Sequence, residues 1–203
     1  MTGNAAQQQP ASWIRLGSGL LAILLWLAGC GSSTPPLPLG EALTYEATAT
    51  RSDFTLYSDP TYPFEVQLPR DWYIGQLAGT TYSIVASSTN DPGQPGATIN
   101  IAAFPVTGTI NLENELTVAE KTLQSQPGIS DFTLELVRPA TTNGAASQER
   151  LYRYTFNNKL LRQRTVYVLG DEQIYAISLI APDNIFAQHE AIFTDVLASF
   201  KGD

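Results

Sequence analysis

The chain contains very few of the residues that build disulfides, metal sites and hydrolytic centres. Its 203 residues include one cysteine, one histidine and one methionine. A single cysteine excludes an internal disulfide framework and every zinc site that needs two or more cysteines. A single histidine, His189, leaves little choice of base for a Ser–His triad. No G-x-S-x-G, H-E-x-x-H, phosphate-loop or dinucleotide-binding motif occurs either.

Positive charge is also scarce. The chain has 11 lysines and arginines against 19 aspartates and glutamates, a formal net charge of −8. Residues 1–29 contain Arg15 and no acid, so the remaining 174 residues carry ten bases against 19 acids, or −9. An acidic domain is poorly suited to binding nucleic acid, whose phosphates need cationic partners. We therefore expect no nucleic-acid partner.

No hydrophobic run is long enough to span a bilayer. The apolar stretch at residues 16–28 is interrupted by Gly17-Ser18-Gly19, which leaves about ten strongly apolar residues against the ~20 that a transmembrane helix needs. Arg15 before it completes the pattern of a signal peptide. The stretch ends at Leu27-Ala28-Gly29-Cys30, which resembles the lipobox of bacterial lipoproteins. The alternative is a transmembrane helix in which Cys30 is an ordinary small residue.

The lipobox resemblance implies that residues 1–29 are removed and that Cys30 is lipidated, with palmitate among the acyl groups. It places the protein on the extracytoplasmic face of a bacterial cell membrane, held there by its N-terminal lipid. Residues 30–52 follow and include Pro35, Pro36 and Pro38, which disfavour helix and sheet pairing. We predict that residues 30–52 form a flexible tether and that residues 53–203 form one globular domain.

The pattern of apolar residues in the domain predicts an α+β fold. Phe64, Val66 and Leu68 alternate with polar residues, as in a half-buried strand. A helix is predicted after Asn111, and a second from Asp183 or Asn184 to Phe200, whose first turn Asp183 can cap. The apolar face of the second helix is predicted to consist of Ile185, His189, Ile192, Val196 and Phe200. Strands are predicted near residues 54–57, 64–68, 72–74, 82–87, 98–104, 132–137, 151–156, 165–169 and 174–180, with Asn157-Asn158 as a hairpin turn. Because a βαβ rhythm is absent, we expect one antiparallel sheet flanked by two main helices.

A segment of the domain resembles a known family. The residues Phe64-Glu65-Val66-Gln67-Leu68-Pro69-Arg70-Asp71-Trp72 are similar to the opening motif of PsbP-like domains, the extrinsic photosystem II proteins and their relatives. The resemblance implies an α/β/α sandwich over about residues 54–201. Asp71 replaces the glycine that precedes the tryptophan in photosynthetic members, so no photosystem role is carried over. No metal ligand or cofactor is carried over either. Trp72 is expected to be buried.

The acidic pairs Glu113/Glu115 and Asp171/Glu172 are interpreted as surface residues, because they fall at a helix start and a turn. Oxygens of Asn90 and Asp91 offer calcium ligands without the spacing of an EF-hand. We therefore predict neither a catalytic site nor a metal site.

Five of the ten bases lie within 15 residues on a predicted hairpin. They are Arg150, Arg153, Lys159, Arg162 and Arg164. These bases either pair with neighbouring acids or form a docking surface for an acidic partner or lipid headgroups.

The sequence favours a non-catalytic, lipid-anchored binding or accessory protein. It would bind a membrane-protein complex, another envelope protein or a small ligand through one sheet face or the basic hairpin. The alternatives are a cell-envelope hydrolase or transferase with no recognisable motif, and a purely structural lipoprotein.

Overall fold

Eleven β-strands and two α-helices make up the part of the chain that the computed structural model describes, which is residues 39–46, 52–75, 82–91, 96–106 and 111–202. The predicted signal peptide and Cys30 lie outside these residues. The strands and helices are, in order, β1 (Leu43–Tyr45), β2 (Phe54–Ser58), β3 (Phe64–Pro69), β4 (Tyr73–Gly75), β5 (Tyr82–Ser87), β6 (Thr98–Pro105), α1 (Leu112–Gln124), β7 (Ile129–Thr142), β8 (Ala145–Phe156), β9 (Lys159–Leu169), β10 (Gln173–Pro182), α2 (Asp183–Ser199) and β11 (Lys201–Gly202).

Eight strands form one large sheet in the order β1-β7-β8-β9-β10-β6-β5-β4. Its pairs are antiparallel except at the β1 edge, where Leu43–Tyr45 runs parallel to the end of β7. The prediction of a purely antiparallel sheet is therefore wrong at this edge. β1 also lies within residues 30–52, the segment predicted to be the tether. It belongs to the folded domain because Tyr45 is buried in the core and Leu43 packs against the core.

Two tight hairpins build the centre of the large sheet. Asn157 and Asn158 join β8 to β9 and both have positive φ angles, 49° and 65°, which a two-residue type I′ turn requires. This confirms the predicted turn. Asn143 and Gly144 join β7 to β8 in the same manner, with φ angles of 48° and 86°. β7 and β8 are consequently 14 and 12 residues long, about twice the predicted length.

A second sheet of three strands, in the order β11-β3-β2, was not predicted. The predicted strand around residues 64–68 is confirmed as β3, in which Phe64, Val66 and Leu68 are all buried. Trp72 follows β3 and is 8% exposed, which confirms the prediction that it is buried.

The two helices lie on opposite faces of the large sheet. Successive residues of a strand point to opposite faces, and Val166 and Val168 of β9 join the core under α2, whereas Tyr167 joins a smaller cluster under Leu116 of α1. The three-stranded sheet shares the α2 face through Phe64. The structure is thus mostly β-sheet with two helices, and only in part the predicted sandwich.

Helix α2 differs from its prediction at both its cap and its buried face. Its N-cap residue is Pro182, with no side-chain capping bond, and Asp183 lies in the first turn instead. The fully buried residues include Phe186 and Phe193, while His189 is half-buried. Of the predicted apolar face, Val196 and Phe200 are buried, whereas Ile185 and Ile192 are partly buried because Phe186 and Phe193 occupy the centre of the contact.

Candidate functional site: the β8–β9 hairpin and its arginines

The five bases of the predicted docking surface all lie on β8 and β9, but they divide into two classes. Arg150 and Arg164 are 1% and 6% exposed. Arg153 and Lys159 are exposed and Arg162 is partly exposed. Distance from the hairpin turn explains the division. Arg150 and Arg164 lie at least six residues from Asn157-Asn158, under α1 and α2 respectively, whereas the other three bases lie within four residues of the turn. Arg153 is exposed and Arg162 partly exposed although they share the face of Arg164.

Arg150 joins the sheet to helix α1. Its guanidinium contacts Glu120 at 2.6 Å and Glu113 at 2.8 Å, both on α1, and Nε donates to Gln148 at 2.8 Å. Burial by itself lowers the pKa of Arg150, but the hydrogen bond to Glu120 and the nearby negative charges raise it overall. Arg150 therefore remains charged, and its contacts hold α1 on the sheet.

Arg164 belongs to a second buried network on the α2 face, centred on Glu149, which is 1% exposed. Arg164 donates to Glu149 Oε2 at 3.0 Å and Arg138 Nε donates to Glu149 Oε1 at 2.9 Å. The Tyr45 hydroxyl donates a short hydrogen bond to the same carboxylate and accepts one from Arg164.

The environment of this second network favours a charged cluster next to a neutral phenol. Burial raises the pKa of Tyr45 to about 12, so its hydroxyl keeps its proton and can donate to Glu149 at neutral pH. The Arg164 guanidinium also lies 5.5 Å from the ring centre of Phe193 on α2 and 5.8 Å from that of Tyr45. The network therefore joins β1, β7, β8, β9 and α2.

The other bases lie at the surface near the hairpin turn, and we call Arg153, Lys159 and Arg162 the tip bases. Arg153 and Arg162 are register partners and share one carboxylate, Glu135, at 3.2 and 3.3 Å. Arg162 also lies 3.3 Å from Asp183 of α2. Arg153 and Arg162 thus lie beside two carboxylates, which leaves a much weaker positive field than five unpaired bases would create. Docking stays a prediction for the tip bases, whereas Arg150 and Arg164 are enclosed by the fold.

The remaining candidates from the sequence are placed apart from one another. Glu113 is a partner of Arg150, and Glu115, Asp171 and Glu172 are exposed. Asn90 and Asp91 are exposed in a loop. Within the described ranges, no three histidine, cysteine, aspartate or glutamate side chains are grouped closely enough to hold a metal ion.

His189 packs beside an aromatic ring. Its ring centre lies 5.7 Å from that of Trp72 in an edge-on arrangement. Burial lowers its pKa, and Nδ1 has no hydrogen-bond partner among the residues that the structure describes. A base in a hydrolytic triad is oriented by a hydrogen bond at this nitrogen, so this geometry is that of a packed side chain.

A shallow cleft of about 160 Å³ opens beside the end of α2. Its lining residues are Thr142, Asn143, Ala145, Val168, Leu169, Tyr175, Phe200, Lys201 and Gly202. Asn143 at its edge is already engaged, because its side-chain amide donates to the carbonyl oxygens of Ala198 and Phe200. The lining offers neither an acid–base pair nor a nucleophile beside a base, so the cleft lacks the elements of a catalytic centre.

The order of strands and helices resembles that of solved proteins with little sequence in common. The chain aligns with the solution structure of cyanobacterial PsbP (CyanoP) from Synechocystis sp. PCC 6803 at a TM-score of 0.61 and 13% identity, over 87% of this chain and 99% of that one. The fold is PsbP-like. This confirms, at the level of fold, the resemblance found at residues 64–72.

Two more distant structures are also similar. LpqN, involved in cell envelope biogenesis of Mycobacterium tuberculosis, gives a TM-score of 0.48 at 20% identity over 73% of this chain and 89% of its own. The Saccharomyces cerevisiae Ran-binding protein Mog1p gives 0.49 at 8% identity over 73% and 94%. No family model and no curated protein matches the chain. Neither helix in the described residues has the length and apolarity needed to cross a membrane.

Proposed function

We propose that this protein is a non-catalytic accessory lipoprotein, anchored by Cys30 on the outer face of a bacterial membrane. The lipobox at residues 27–30 and the short apolar run before it support the anchor. The PsbP-like fold supports a single binding or accessory domain beyond the anchor.

The non-catalytic assignment rests on one observation, which is that the buried charged side chains form ion pairs between structural elements. Arg150, Arg164 and Glu149 are nearly inaccessible, and each is engaged in ion pairs that join one structural element to another. Active sites keep ionisable groups facing a cleft, with pKa values adjusted to proton transfer. Of the residues that the structure describes, Tyr175 and Lys201 line the cleft beside the end of α2, but no carboxylate, histidine or cysteine does. No specific observation favours the alternative of an envelope hydrolase or transferase.

The docking surface that we propose is limited to the tip bases. All three lie within four residues of the Asn157-Asn158 turn, with Arg153 and Arg162 on one face of the hairpin and Lys159 on the other. Because Glu135 and Asp183 already neutralise part of their charge, a partner must offer several acidic groups to gain from the exchange. An acidic surface on a membrane-protein complex or another envelope protein fits this requirement.

Affinity recovery from solubilised membranes tests this proposal. The variant Arg153→Glu with Lys159→Glu reverses two exposed bases, and the matched control Lys121→Glu with Lys201→Glu reverses two exposed bases on α1 and β11. We expect the first variant, but not the control, to recover less partner than the unaltered protein, and we expect recovery to fall at high salt. Equal recovery of every partner by both variants would refute docking through the tip bases.

A further inference from the structure

The first residue that the structure describes, Leu39, is close in sequence to the proposed lipid anchor. Leu39 forms a parallel bridge with Val137, and the Gly40 amide donates to the Val137 carbonyl at 2.8 Å. Leu39 is nine residues after Cys30. At about 3.6 Å per extended residue, at most about 32 Å of chain separates the lipidated residue from the sheet. If the first fixed residue were instead Phe54, at the start of β2, the limit would be about 86 Å.

The attachment of β1 to the sheet sets this shorter limit. A three-residue strand at an edge has few backbone hydrogen bonds of its own, but β1 is reinforced at Tyr45. The Tyr45 side chain is 4% exposed and joins the Glu149 and Arg164 network, and its carbonyl accepts from the Asn143 amide at 2.8 Å. These contacts keep residues 39–45 on the sheet. Without them, the same residues would add to the length of the tether.

The position of β1 also gives the domain an orientation. β1 and β4 are opposite edges of the eight-stranded sheet, seven strand spacings apart. At about 4.8 Å per spacing the two edges are separated by roughly 34 Å. The tether therefore keeps the β1 edge within about 32 Å of the bilayer, whereas the β4 edge can lie up to about 66 Å from it, so the β1 edge is on average the nearer of the two.

We propose that the β1 edge of the large sheet faces the phospholipid headgroups of the membrane that carries the anchor, and that the buried contacts of Tyr45 keep it there. This inference rests on the proposed lipidation of Cys30. At the β1 edge, Leu39 is 78% exposed, the largest fraction among the large apolar residues that the structure describes. Exposed apolar side chains such as leucine insert at the boundary between headgroups and acyl chains. Glu41 and Glu46 are exposed nearby, so the lipid tether, not attraction to anionic lipid, must hold this edge at the surface.

Energy transfer to labelled lipid headgroups tests the orientation in the full, lipidated protein. Cys30 is the only cysteine and its thiol is consumed by the lipid, so one introduced cysteine can carry the donor dye. Pro139→Cys places the donor on β7 beside β1, and Ile74→Cys places it on β4; both positions are exposed. The protein is reconstituted in phosphatidylcholine vesicles that contain a headgroup-labelled acceptor lipid.

We expect transfer from position 139 to be severalfold more efficient than transfer from position 74. Tyr45→Ala should reduce transfer from position 139, whereas the control Tyr62→Ala, a partly buried tyrosine outside β1, should not. Tyr45→Phe, which removes only the hydroxyl, serves if Tyr45→Ala fails to fold, and it should act in the same direction.

Flotation of the vesicles separates the two proposals. If the protein does not float with the vesicles, the lipid anchor and the orientation built on it are both refuted. If it floats but transfer from positions 139 and 74 is equal, or is greater from position 74, the orientation alone is refuted. If transfer from position 139 exceeds that from position 74 but is unchanged by either Tyr45 substitution, the Tyr45 contacts do not maintain the orientation.

Discussion

We predict that Glu149→Gln, which replaces one carboxylate oxygen by an amide nitrogen, causes a large loss of stability in the Glu149 network. Glutamine keeps the shape of the side chain but removes its negative charge. In the native protein, two guanidinium groups and the Tyr45 hydroxyl converge on this carboxylate. After the substitution, Arg138 and Arg164 lose the buried carboxylate between them, although Arg164 keeps the more exposed Glu190 at 3.9 Å, and the new amide turns a donor toward groups that are themselves donors.

The exposure of the partners sets the magnitude of the loss. Removing one partner of a buried ion pair costs about 3–5 kcal/mol, because the other charge is left without compensation. The side chain of Arg138 is 23% exposed and can recover water, whereas that of Arg164 is 7% exposed and cannot do so easily. We therefore expect Glu149→Gln to lower the free energy of unfolding by about 3 kcal/mol, at the lower end of that range.

Glu190 provides the matched control. It lies 3.9 Å from the same arginine, but its side chain is 46% exposed, so Glu190→Gln should cost about 0–1 kcal/mol. Urea unfolding of the chain from Cys30 onward measures both values, with the emission of Trp72, the single tryptophan after residue 29, as the signal. A loss below 1 kcal/mol for Glu149→Gln, or equal losses for the two variants, would contradict the role assigned to the network.

Two further predictions concern the corner formed by Trp72 and His189. Trp72→Ala should lower the free energy of unfolding by roughly 3–5 kcal/mol, because Trp72 is 8% exposed and belongs to the core. If the native protein emitted at the wavelength of fully hydrated tryptophan, Trp72 would not be buried and this prediction would be refuted. Burial lowers the pKa of His189 in the folded state. The contribution of neutral His189 to the free energy of unfolding should therefore be fully present above the unfolded-state pKa of about 6.5, and it should decrease as the pH falls toward the folded-state pKa. Between pH 7 and 5, His189→Gln should show a smaller decrease in unfolding free energy than the unaltered protein; identical pH profiles would exclude this contribution.

Much of the fold could be predicted from the sequence, because its elements have strong periodic patterns. Phe64, Val66 and Leu68 alternate, and β3 buries all three. α1 follows the four- and three-residue spacing of its apolar residues, with Asn111 as its cap. Each of these patterns depends only on local geometry, which neighbours in sequence determine.

Other parts of the fold depend on interactions that local patterns do not describe. Polar and charged residues such as Glu149 and Arg150 lie inside β8, so the strand lacks the alternation that would reveal its length. The Asn143-Gly144 dipeptide is a strong hairpin signal that would have connected β7 directly to β8. β1 has three residues after a proline-rich stretch, and its pairing with β7 and the buried contacts of Tyr45 give it structure.

The docking prediction was incomplete for a related reason. Sequence spacing grouped five bases on one hairpin, but burial of Arg150 and Arg164 depends on which helix covers each face. That placement is a property of the whole sheet. The acids that pair with them, Glu113, Glu120 and Glu149, come from α1 and β8, up to 37 residues away in sequence. The sequence offered one signal of these buried ion pairs: Arg150 and Arg164 occupy strand positions that face a helix.

Mass spectrometry of the protein extracted from bacterial membranes tests the central claim most directly. The full chain is expressed in a bacterium, extracted with detergent and digested, and its N-terminal peptide is identified. We predict a mature protein that begins at Cys30 and carries lipid on that cysteine, and we predict that Cys30→Ser is released from the membrane or mislocalised. A membrane-bound protein that keeps residues 1–29 and an unmodified Cys30 would contradict the account of a lipid-anchored accessory domain.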